Sequence, residues 1–323
     1  MMEKILVTGA AGFIGSHLCE SLIQDGNEVL GLDNLCGQKQ LHIKKYRLSN
    51  LVKLYSLSFK EVDICNIACL DKVFDEFRPN KVIHLAAKAG IRSSYENNLK
   101  FINSNIVGFA NIIDLSAKHN VEGFIYASSS SVYGDNKKMP FSTEDCIVNP
   151  LSVYAATKIS NEMIAKSYSN MYELNTTGLR FFNVYGPKGR PDMAYYIFTD
   201  KIYNNVPIFL HNFGNMDRDL TYIDDIINGI KLSISKNYQC EVFNLGNGKS
   251  ENLQTMVKLI EKMLNKKAII KLCDKDDCEM IRTCSDIDKT KRLLGYKPEI
   301  DIELGMKRFI EWYKNYNLKV FTN

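Results

Sequence analysis

Hydrophobic positions in the first half of the chain form short apolar runs that alternate with longer amphipathic segments. The runs KILVT, EVLGL, KVIHLA and GFIYASS are rich in apolar and β-branched residues, and the segments between them, such as VGFANIIDLSAKH, have the length of helices. This alternation is typical of parallel strands joined by crossover helices on both faces. The pattern therefore predicts an α/β fold with a doubly wound parallel sheet of the Rossmann type.

The alternation loosens after TTGLRFFNVYGP. Gly and Pro cluster at 186–191, and the later elements are mixed helices and short strands such as CEVFNLG. We predict a Rossmann domain over 1–186 and a smaller C-terminal α/β domain mainly over 187–323, with a segment at about 222–247 returning to the first. Two later segments, ENLQTMVKLIEKML and ELGMKRFIEWYKNY, are amphipathic at helical spacing, and Ser250 is the expected N-cap of the first.

Composition narrows the class of protein. The 323 residues are 45% hydrophobic and 24% charged, the net charge is +4, and the 41 basic residues are scattered. Nucleic acid is therefore not expected as a main partner. No stretch approaches the roughly 20 apolar residues of a membrane span, and MMEKILVTG leads into a strand at once, without the pattern of a secretory signal. We expect a soluble cytoplasmic protein with no membrane partner.

Cysteine and histidine give no sign of a metal site. The nine cysteines contain no CxxC pair, and the five histidines show no HExxH or other paired spacing. Buried, reduced thiols are the favoured interpretation, ahead of disulfides or zinc. We predict no metal.

Three glycines, Gly9, Gly12 and Gly15, follow the first strand and precede a helix. Glycine lets a backbone approach a pyrophosphate closely, and the first-turn N–H groups of the helix stabilise its charge. An ordinary tight turn is the alternative. The spacing is GxxGxxG, which differs from the GxGxxG of the usual dehydrogenase fingerprint.

Asp33 ends the second strand, eighteen residues beyond Gly15. A carboxylate at this place accepts hydrogen bonds from ribose hydroxyls and repels a 2′-phosphate, so the predicted cofactor is NAD and not NADP. A helix cap or a turn residue is the alternative. Asp63, after the third strand, is placed to reach the adenine, although a loop acid is equally easy to explain.

The segment YAATK places Tyr154 four residues before Lys158, which makes them neighbours on a helix. The spacing recurs at Tyr133 and Lys137, but there Gly, Asp and Asn intervene and indicate a turn. The meaning of the first pair depends on what the rest of the chain brings near it.

The glycine triplet, Asp33, HLAAKAG, YASSSSVYG, YAATK, LRFFNVYGP, RDLTYIDDI, FNLGNG and LLGYKP occur in this order along the chain. In these motifs the sequence resembles the extended short-chain dehydrogenases/reductases. The segments ASSSSVYG, SVYAATK, TTGLRFFNVYGP and GRPDMA make it most similar to the UDP-glucuronate 4-epimerases of that superfamily.

The resemblance implies roles for the central residues. Tyr154 would be the general base, Lys158 its electrostatic support, and Ser129 the hydroxyl that contacts the C4 oxygen of the sugar, with Ser128 and Ser130 as rivals. A nearby ammonium favours the phenolate of a tyrosine. The full set expected at the cofactor is Gly9, Gly12, Phe13, Ile14, Gly15, Asp33, Asn34, Asp63, Ile64, Leu85, Ala86, Ala87, Asn105, Tyr154 and Lys158.

The resemblance also implies how a UDP-sugar would be bound. Arg218 matches the arginine that binds the diphosphate, Arg282 is a weaker candidate, and Arg190 is the best candidate for a substrate carboxylate. Guanidinium suits both groups because of its paired donors. The alternatives are ion pairs, of Arg218 with a neighbouring aspartate and of Arg190 with Asp192. Asn183 completes the expected substrate set.

The implied reaction is NAD-dependent 4-epimerisation of UDP-glucuronate through a 4-keto intermediate. Ser130 and Ser131 stand where related dehydratases and decarboxylases carry acids, so further elimination lacks its usual acid. Two departures from the uronate pattern, Asn183 for Thr and Lys188 for Trp, keep UDP-glucose or UDP-N-acetylglucosamine 4-epimerisation as the alternative. A non-catalytic regulatory module that binds NAD or a nucleotide is more remote. The resemblance further implies a homodimer.

Overall fold

A seven-stranded sheet forms the centre of the computed structural model, which describes residues 2–90, 97–274 and 280–321. The sheet has the order β11-β6-β5-β4-β1-β2-β3, and all neighbouring strands are parallel. The predicted doubly wound fold is confirmed. The strands in chain order are β1 (Lys4–Thr8), β2 (Glu28–Asp33), β3 (Ser58–Glu61), β4 (Lys81–His84), β5 (Gly123–Ser129), β6 (Thr176–Phe181), β7 (Asn183–Tyr185), β8 (Ile208–Leu210), β9 (Asp217–Arg218), β10 (Leu220–Tyr222), β11 (Cys240–Leu245), β12 (Glu251–Asn252) and β13 (Ile270–Leu272).

Helices cover both faces of this sheet. They are α1 (Phe13–Gln24), α2 (Gln38–Tyr55), α3 (Ile67–Phe77), α4 (Asn98–Ile102), α5 (Gly108–Lys118), α6 (Val153–Tyr172), α7 (Ala194–Tyr203), α8 (Ile223–Ile234), α9 (Leu253–Leu264), α10 (Asp288–Leu294) and α11 (Ile302–Phe321). A π-helical segment, Asn103–Val107, joins α4 to α5, and one 3₁₀ turn, Ser130–Tyr133, follows β5.

The alternation of side chains along the strands divides the core in two. Ile5 and Val7 of β1 pack into the cluster that includes Leu18 of α1, whereas Leu6 packs into the cluster that includes Phe74 of α3. Successive strand residues point to opposite faces, so a wholly apolar strand requires cover on both sides. This explains why the runs recognised in the sequence are continuous rather than alternating.

The direction of winding reverses between β1 and β4. The chain proceeds from β1 outward to β3, crosses back to β4 beside β1, and then builds the other half. Thr8 and His84, the last residues of the two strands, are paired in register, and Thr8 Oγ1 lies 2.9 Å from His84 Nδ1. Ligands of open α/β sheets bind at the carboxyl ends of strands at such a switch point.

Smaller strand pairs lie beyond β6. β7 pairs with β10 in parallel, β8 pairs with β13 in parallel, and β9 pairs with β12 in antiparallel. β11 instead completes the large sheet beside β6. The division into domains at 186 and 187 stays a prediction.

Two predicted helix starts were misplaced. α1 begins at Phe13, with Gly12 as its N-cap, so Gly15 lies inside the first turn. The N-cap of α9 is Asn252, whose side chain accepts a 2.9 Å hydrogen bond from Gln254 N, while the predicted cap, Ser250, donates to Thr283 O. The reason is that 251–252 form β12 against β9, which delays the helix by two residues.

Candidate active site

The glycine-rich loop lies between β1 and α1, at the switch point. Gly9 has φ of +74°, and a Cβ there would lie 2.8 Å from Ala86 N; a Cβ on Gly15 would lie 2.2 Å from Gly9 O. Both positions therefore exclude any side chain. No side chain caps the N-terminus of α1, where Phe13 and Ile14 supply first-turn N–H groups. The loop and the uncapped helix together fit the pyrophosphate of a dinucleotide.

Asp33 is buried at the carboxyl end of β2. Its Oδ1 accepts hydrogen bonds from Leu35 N at 2.8 Å and from the Lys44 ammonium at 2.9 Å. Lys44, on α2, was missed by the sequence analysis because nothing in the local pattern distinguishes it from the other lysines of that helix. The carboxylate at the expected ribose position is therefore already partnered by a cation.

Asn34 and Asp63 line the next part of this edge. Asn34 Nδ2 donates to Asp63 Oδ2 at 2.9 Å, and Asp63 Oδ1 accepts from Cys65 N at 2.8 Å. Although burial raises it, these hydrogen bonds bring the pKa of Asp63 below its ordinary value. The neighbouring Ile64 is different, because its side chain packs inside the core against Gly108. Only its backbone remains available to a cofactor.

The segment after β4 is fixed by a buried amide. Asn105 accepts from Lys88 N at 2.8 Å and donates to Lys88 O at 3.0 Å and to Thr157 Oγ1 at 3.1 Å. It thus joins the strand-end segment that contains the predicted cofactor residues to helix α6. Those residues, Leu85, Ala86 and Ala87, are half-buried at the edge of the crevice.

Tyr154 and Lys158 lie in the first two turns of α6. Ser152 caps the helix by accepting a hydrogen bond from Ala155 N at 3.1 Å. Lys158 is 2% exposed, and its ammonium donates to Ala127 O at 2.8 Å. Burial lowers the pKa of Lys158 to about 8, and nearby Glu162 opposes this shift. Tyr154 is half-buried, with its ring edge to face with Phe101.

Of the four consecutive serines, Ser129 is the one that interacts with Tyr154. A hydrogen bond between the two lowers the pKa of the Tyr154 phenol, as does the charge of Arg190, but burial outweighs both and raises it above the ordinary value. The Ser131 hydroxyl donates to Ser129 Oγ at 3.0 Å. Ser130 lies half-buried in the 3₁₀ turn. The phenolate that a nearby ammonium was expected to favour is therefore not favoured by the protein alone.

Ser128 points away from Tyr154 into a buried ionic network. Its hydroxyl donates to Glu162 Oε1 at 2.5 Å, and Arg180 donates to both oxygens of Glu162, at 2.9 and 2.8 Å. Arg180 also donates to the Tyr133 hydroxyl at 3.0 Å, which in turn donates to Asn244 at 2.6 Å. This network was not predicted from the sequence. One signal was available, the single charged residue in the strand TTGLRF.

Arg190 lies near the phenol of Tyr154. Its guanidinium donates to both carboxylate oxygens of Asp192, at 3.1 and 2.6 Å. Although burial lowers it, Asp192 and Tyr154 raise the pKa of Arg190. The ion pair named as the alternative is therefore present, and the guanidinium is also close enough to Tyr154 for the two groups to influence each other's ionisation.

The other predicted substrate residues lie farther along the chain. Arg218 donates to the carbonyls of Asp217 and Ile281, at 3.0 and 3.1 Å, and Arg282 is largely exposed, 3.9 Å from a carboxylate oxygen of Asp217. β9 and the bridge from Asp217 to Arg282 hold these two arginines side by side. Asn183 begins β7 and is half-buried.

The cysteine prediction was wrong in one respect. Of the eight cysteines that the structure describes, all are unpaired, but only Cys19 is buried. Cys278 lies outside the described residues. Cys69 on α3 and Cys240 at the start of β11 are exposed, so an apolar sequence context does not guarantee burial. Within the described ranges, no group of three His, Cys, Asp or Glu side chains is placed to hold a metal ion.

None of the helices in the described part of the chain combines the length and the apolar character that crossing a bilayer requires.

The chain is similar in sequence and in structure to known proteins. The model of the NAD dependent epimerase/dehydratase family matches residues 5–246. UDP-glucuronate 4-epimerase of Thermodesulfobacterium geofontis is 39% identical over 97% of this chain and 97% of its own.

Two solved structures illustrate the range of similar folds. UDP-glucuronic acid 4-epimerase from Bacillus cereus, in complex with UDP-glucuronic acid and NAD, has a TM-score of 0.91 at 32% identity, covering 97% of this chain and 99% of that one. UDP-glucose 4-epimerase from Thermotoga maritima, with UDP-glucose, has a TM-score of 0.86 at 30% identity, with the same coverage of both chains.

Proposed function

Because the chain belongs to the NAD dependent epimerase/dehydratase family, we propose that it is a UDP-glucuronate 4-epimerase. Family membership confirms the prediction of an NAD-dependent epimerase. The observation that carries the choice of substrate is that the Arg190 guanidinium already holds a carboxylate, that of Asp192, through two hydrogen bonds, while its charge acts on the Tyr154 phenol. A guanidinium within electrostatic reach of the reacting hydroxyl is suited to a sugar that bears a carboxylate.

Tyr154 is the general base for the C4 hydroxyl of the sugar. Its phenol is hydrogen-bonded to Ser129, which is placed to hold the same C4 oxygen in line with the base. Lys158, one helical turn away, and the positive nicotinamide ring of bound NAD would together favour the phenolate, which the protein alone does not. Bound NAD would supply reversible hydride transfer, which takes hydride from C4 and returns it to the opposite face of the rotated sugar. Tyr154 returns the proton to the C4 oxygen, so the inverted alcohol is formed.

Within the described residues, the end of β5 offers no carboxylic acid to divert the keto sugar toward elimination. Ser130 and Ser131 occupy the positions at the end of β5 where an acid would be needed. Glu162, which accepts a hydrogen bond from Ser128 of this strand, is held by two hydrogen bonds from Arg180. Both oxygens of Glu162 are thus engaged within the protein. The outcome favoured by these residues is epimerisation.

Arg190 is proposed to bind the C6 carboxylate of the substrate. In the structure its two donor groups face Asp192, and a substrate carboxylate would take one or both of them. A charge-assisted hydrogen bond contributes about 1.5–3 kcal/mol. Since about 1.4 kcal/mol corresponds to tenfold in affinity, this contact alone gives about ten- to a hundredfold preference for the uronate.

The second candidate function is 4-epimerisation of a neutral UDP-hexose. Asn183, at the start of β7, is the residue that favours it, because an amide suits hydroxyl groups. Lys188 does not discriminate between the two candidates, because its ammonium is paired with Glu20 of α1 at 3.0 Å.

We also propose that Arg218 and Arg282 bind the UDP diphosphate, so that the nucleotide lies between these arginines and the crevice.

We further propose that the protein is a cytoplasmic homodimer. α4, the π-helical segment and α6 carry exposed Leu99, Ile102, Val107 and Met163. Exposed apolar side chains on adjacent helices are typical of an interface.

The deciding experiment offers UDP-glucuronate, UDP-glucose and UDP-N-acetylglucosamine separately and resolves the products by chromatography. We expect the highest kcat/KM for UDP-glucuronate, and a loss of preference by about ten- to a hundredfold in Arg190→Ala. Arg78→Ala is the matched control, because Arg78 is exposed at the opposite edge of the sheet, before β4. A higher kcat/KM for either neutral sugar, or an unchanged preference in Arg190→Ala, would replace this proposal by the second candidate.

A further inference from the structure

Arg47, on α2, is a buried arginine that contacts two functional loops. It is 1% exposed. Its Nε donates to Lys188 O at 2.8 Å, one terminal nitrogen donates to Gly189 O at 2.8 Å, and the other donates to Ala11 O at 3.3 Å. Ala11 belongs to the glycine-rich loop, while 188 and 189 immediately precede Arg190. One side chain therefore connects the cofactor loop to the turn that carries the proposed carboxylate ligand.

The turn at 186–190 requires such support because its backbone is strained. Lys188 has φ of +56°, which is uncommon for a residue with a side chain, and Gly186 has φ of +146°. A Cβ on Gly189 would lie 1.8 Å from the Tyr195 hydroxyl. A non-glycine residue in the left-handed region persists only where its surroundings hold it there. The two hydrogen bonds from Arg47 to this turn meet that condition.

The charge of Arg47 has no counterion within residues 2–90, 97–274 and 280–321, where no carboxylate lies within ion-pair distance of its guanidinium. Burial lowers its pKa to about 10. Burying an unpaired cation is costly, and a core that needed only to be filled would be served by an apolar residue. The fork of donors, which matches three carbonyls, gives a reason for an arginine at this place.

We infer that Arg47 is a positioning residue for substrate selection, which fixes the 186–190 turn against the glycine-rich loop and so holds Arg190 within electrostatic reach of Tyr154. The inference rests on the proposed function in that Arg190 binds the substrate carboxylate. Arg47 itself does not touch the substrate. Its loss releases the turn, so Arg190 no longer holds its place beside the reacting hydroxyl, and the contribution of the carboxylate to binding is lost.

The test compares the full-length holoenzyme with Arg47→Lys and Arg47→Met. Lysine keeps the charge but cannot donate to all three carbonyls. Methionine removes the charge and the three hydrogen bonds. Lys81→Met is the control, because Lys81 is also a buried cation that donates to a backbone carbonyl, Ile234 O at 2.9 Å, but it lies at the amino end of β4. Three quantities are measured: kcat/KM for UDP-glucuronate and UDP-glucose, hydrogen exchange of the backbone amides at 186–192, and Tm.

We expect both Arg47 variants to lower the ratio of the two kcat/KM values by about tenfold or more and to accelerate exchange at 186–192. Lys81→Met should lower Tm with the ratio and that exchange unchanged. The inference is overturned if exchange at 186–192 matches the parent protein, or if activity on both sugars falls equally in step with Tm. Failure of the proposed function is a separate outcome, seen when the parent enzyme itself does not prefer UDP-glucuronate. The exchange measurement still decides the role of Arg47 in that case.

Discussion

The ammonium of Lys158 lies 6.0 Å from the centre of the Tyr154 ring and donates to Ala127 O at 2.8 Å. A strand-end carbonyl thus holds the cation below the ring, one turn along α6. The fold itself fixes the positions of the two side chains. The ammonium can therefore act on the charge that develops at the Tyr154 phenol without first moving.

Replacement of Tyr154 by Phe should remove the general base and leave the fold intact. The ring still packs against Phe101, while the proton acceptor is lost, so we expect turnover to fall by about 10²–10⁴-fold. The measurement is initial-rate kinetics with NAD content determined on the same preparation. Near-normal turnover in a folded Tyr154→Phe protein would contradict this role. Lys158→Ala should lower both turnover and retained NAD.

The pH profile should report the proton on Lys158. Its pKa is lowered to about 8, so the ammonium is present below about pH 8 and lost as the pH rises through that value. Activity that depends on the cation should therefore decline on the alkaline side, by about tenfold per pH unit once the proton is lost. His84, which also faces Lys158, is kept neutral because burial lowers its pKa to about 3.

The substitution Glu162→Gln tests whether the alkaline decline in activity reports the proton on Lys158. Because Glu162 raises the pKa of Lys158, removing its charge should move the alkaline limb to lower pH, while Lys158→Arg should abolish the limb. Log kcat/KM measured from pH 6 to 10 distinguishes these variants. An identical limb in all three proteins would show that another group titrates.

Cofactor choice should depend on Asp33 and Lys44 together. Asp33→Asn removes the charge that repels a 2′-phosphate and frees the Lys44 ammonium, so the preference for NAD over NADP should fall by about tenfold or more. The double variant with Lys44→Met should bind NADP less tightly than Asp33→Asn alone. Dissociation constants for both cofactors, measured by calorimetry after removal of bound nucleotide, provide the test. Equal binding of NAD and NADP by the parent protein would refute the prediction.

The association state should depend on the exposed apolar face of α4 and α6. Light scattering at micromolar concentration should show a dimer, and Met163→Asp should yield a monomer because it places a charge in a buried interface. Val206→Asp is the control, since Val206 is an exposed apolar residue after α7. A monomeric parent protein excludes the proposed dimer.

Local patterns were sufficient for the fold and for singling out the candidate residues at the crevice. The strands are continuous apolar runs, and Gly9, Asp33 and the Tyr154–Lys158 pair are recognisable within a few residues of their own elements. The remaining residues depend on distant partners. Arg47 contacts carbonyls 141 and 142 residues away, and Glu162 meets Arg180 across two elements.

The N-cap of α9 and the burial of the cysteines also depend on distant partners and could not be predicted from local sequence. Ser250 and Asn252 are both good caps, and only the pairing of β12 with β9 selects the second. Cysteine burial likewise follows from which helix face meets the sheet, as Cys19 on α1 illustrates.

The last strand of the sheet has a consequence for synthesis of the protein. Every residue of β6 is buried, and one edge of that strand is covered only by β11 at 240–245. A ribosome must therefore release more than fifty further residues before the edge closes. An unpaired apolar strand edge is a template for intermolecular association. A fragment ending at 186 would expose that edge permanently, and the nascent chain passes through the same vulnerable stage each time it is translated.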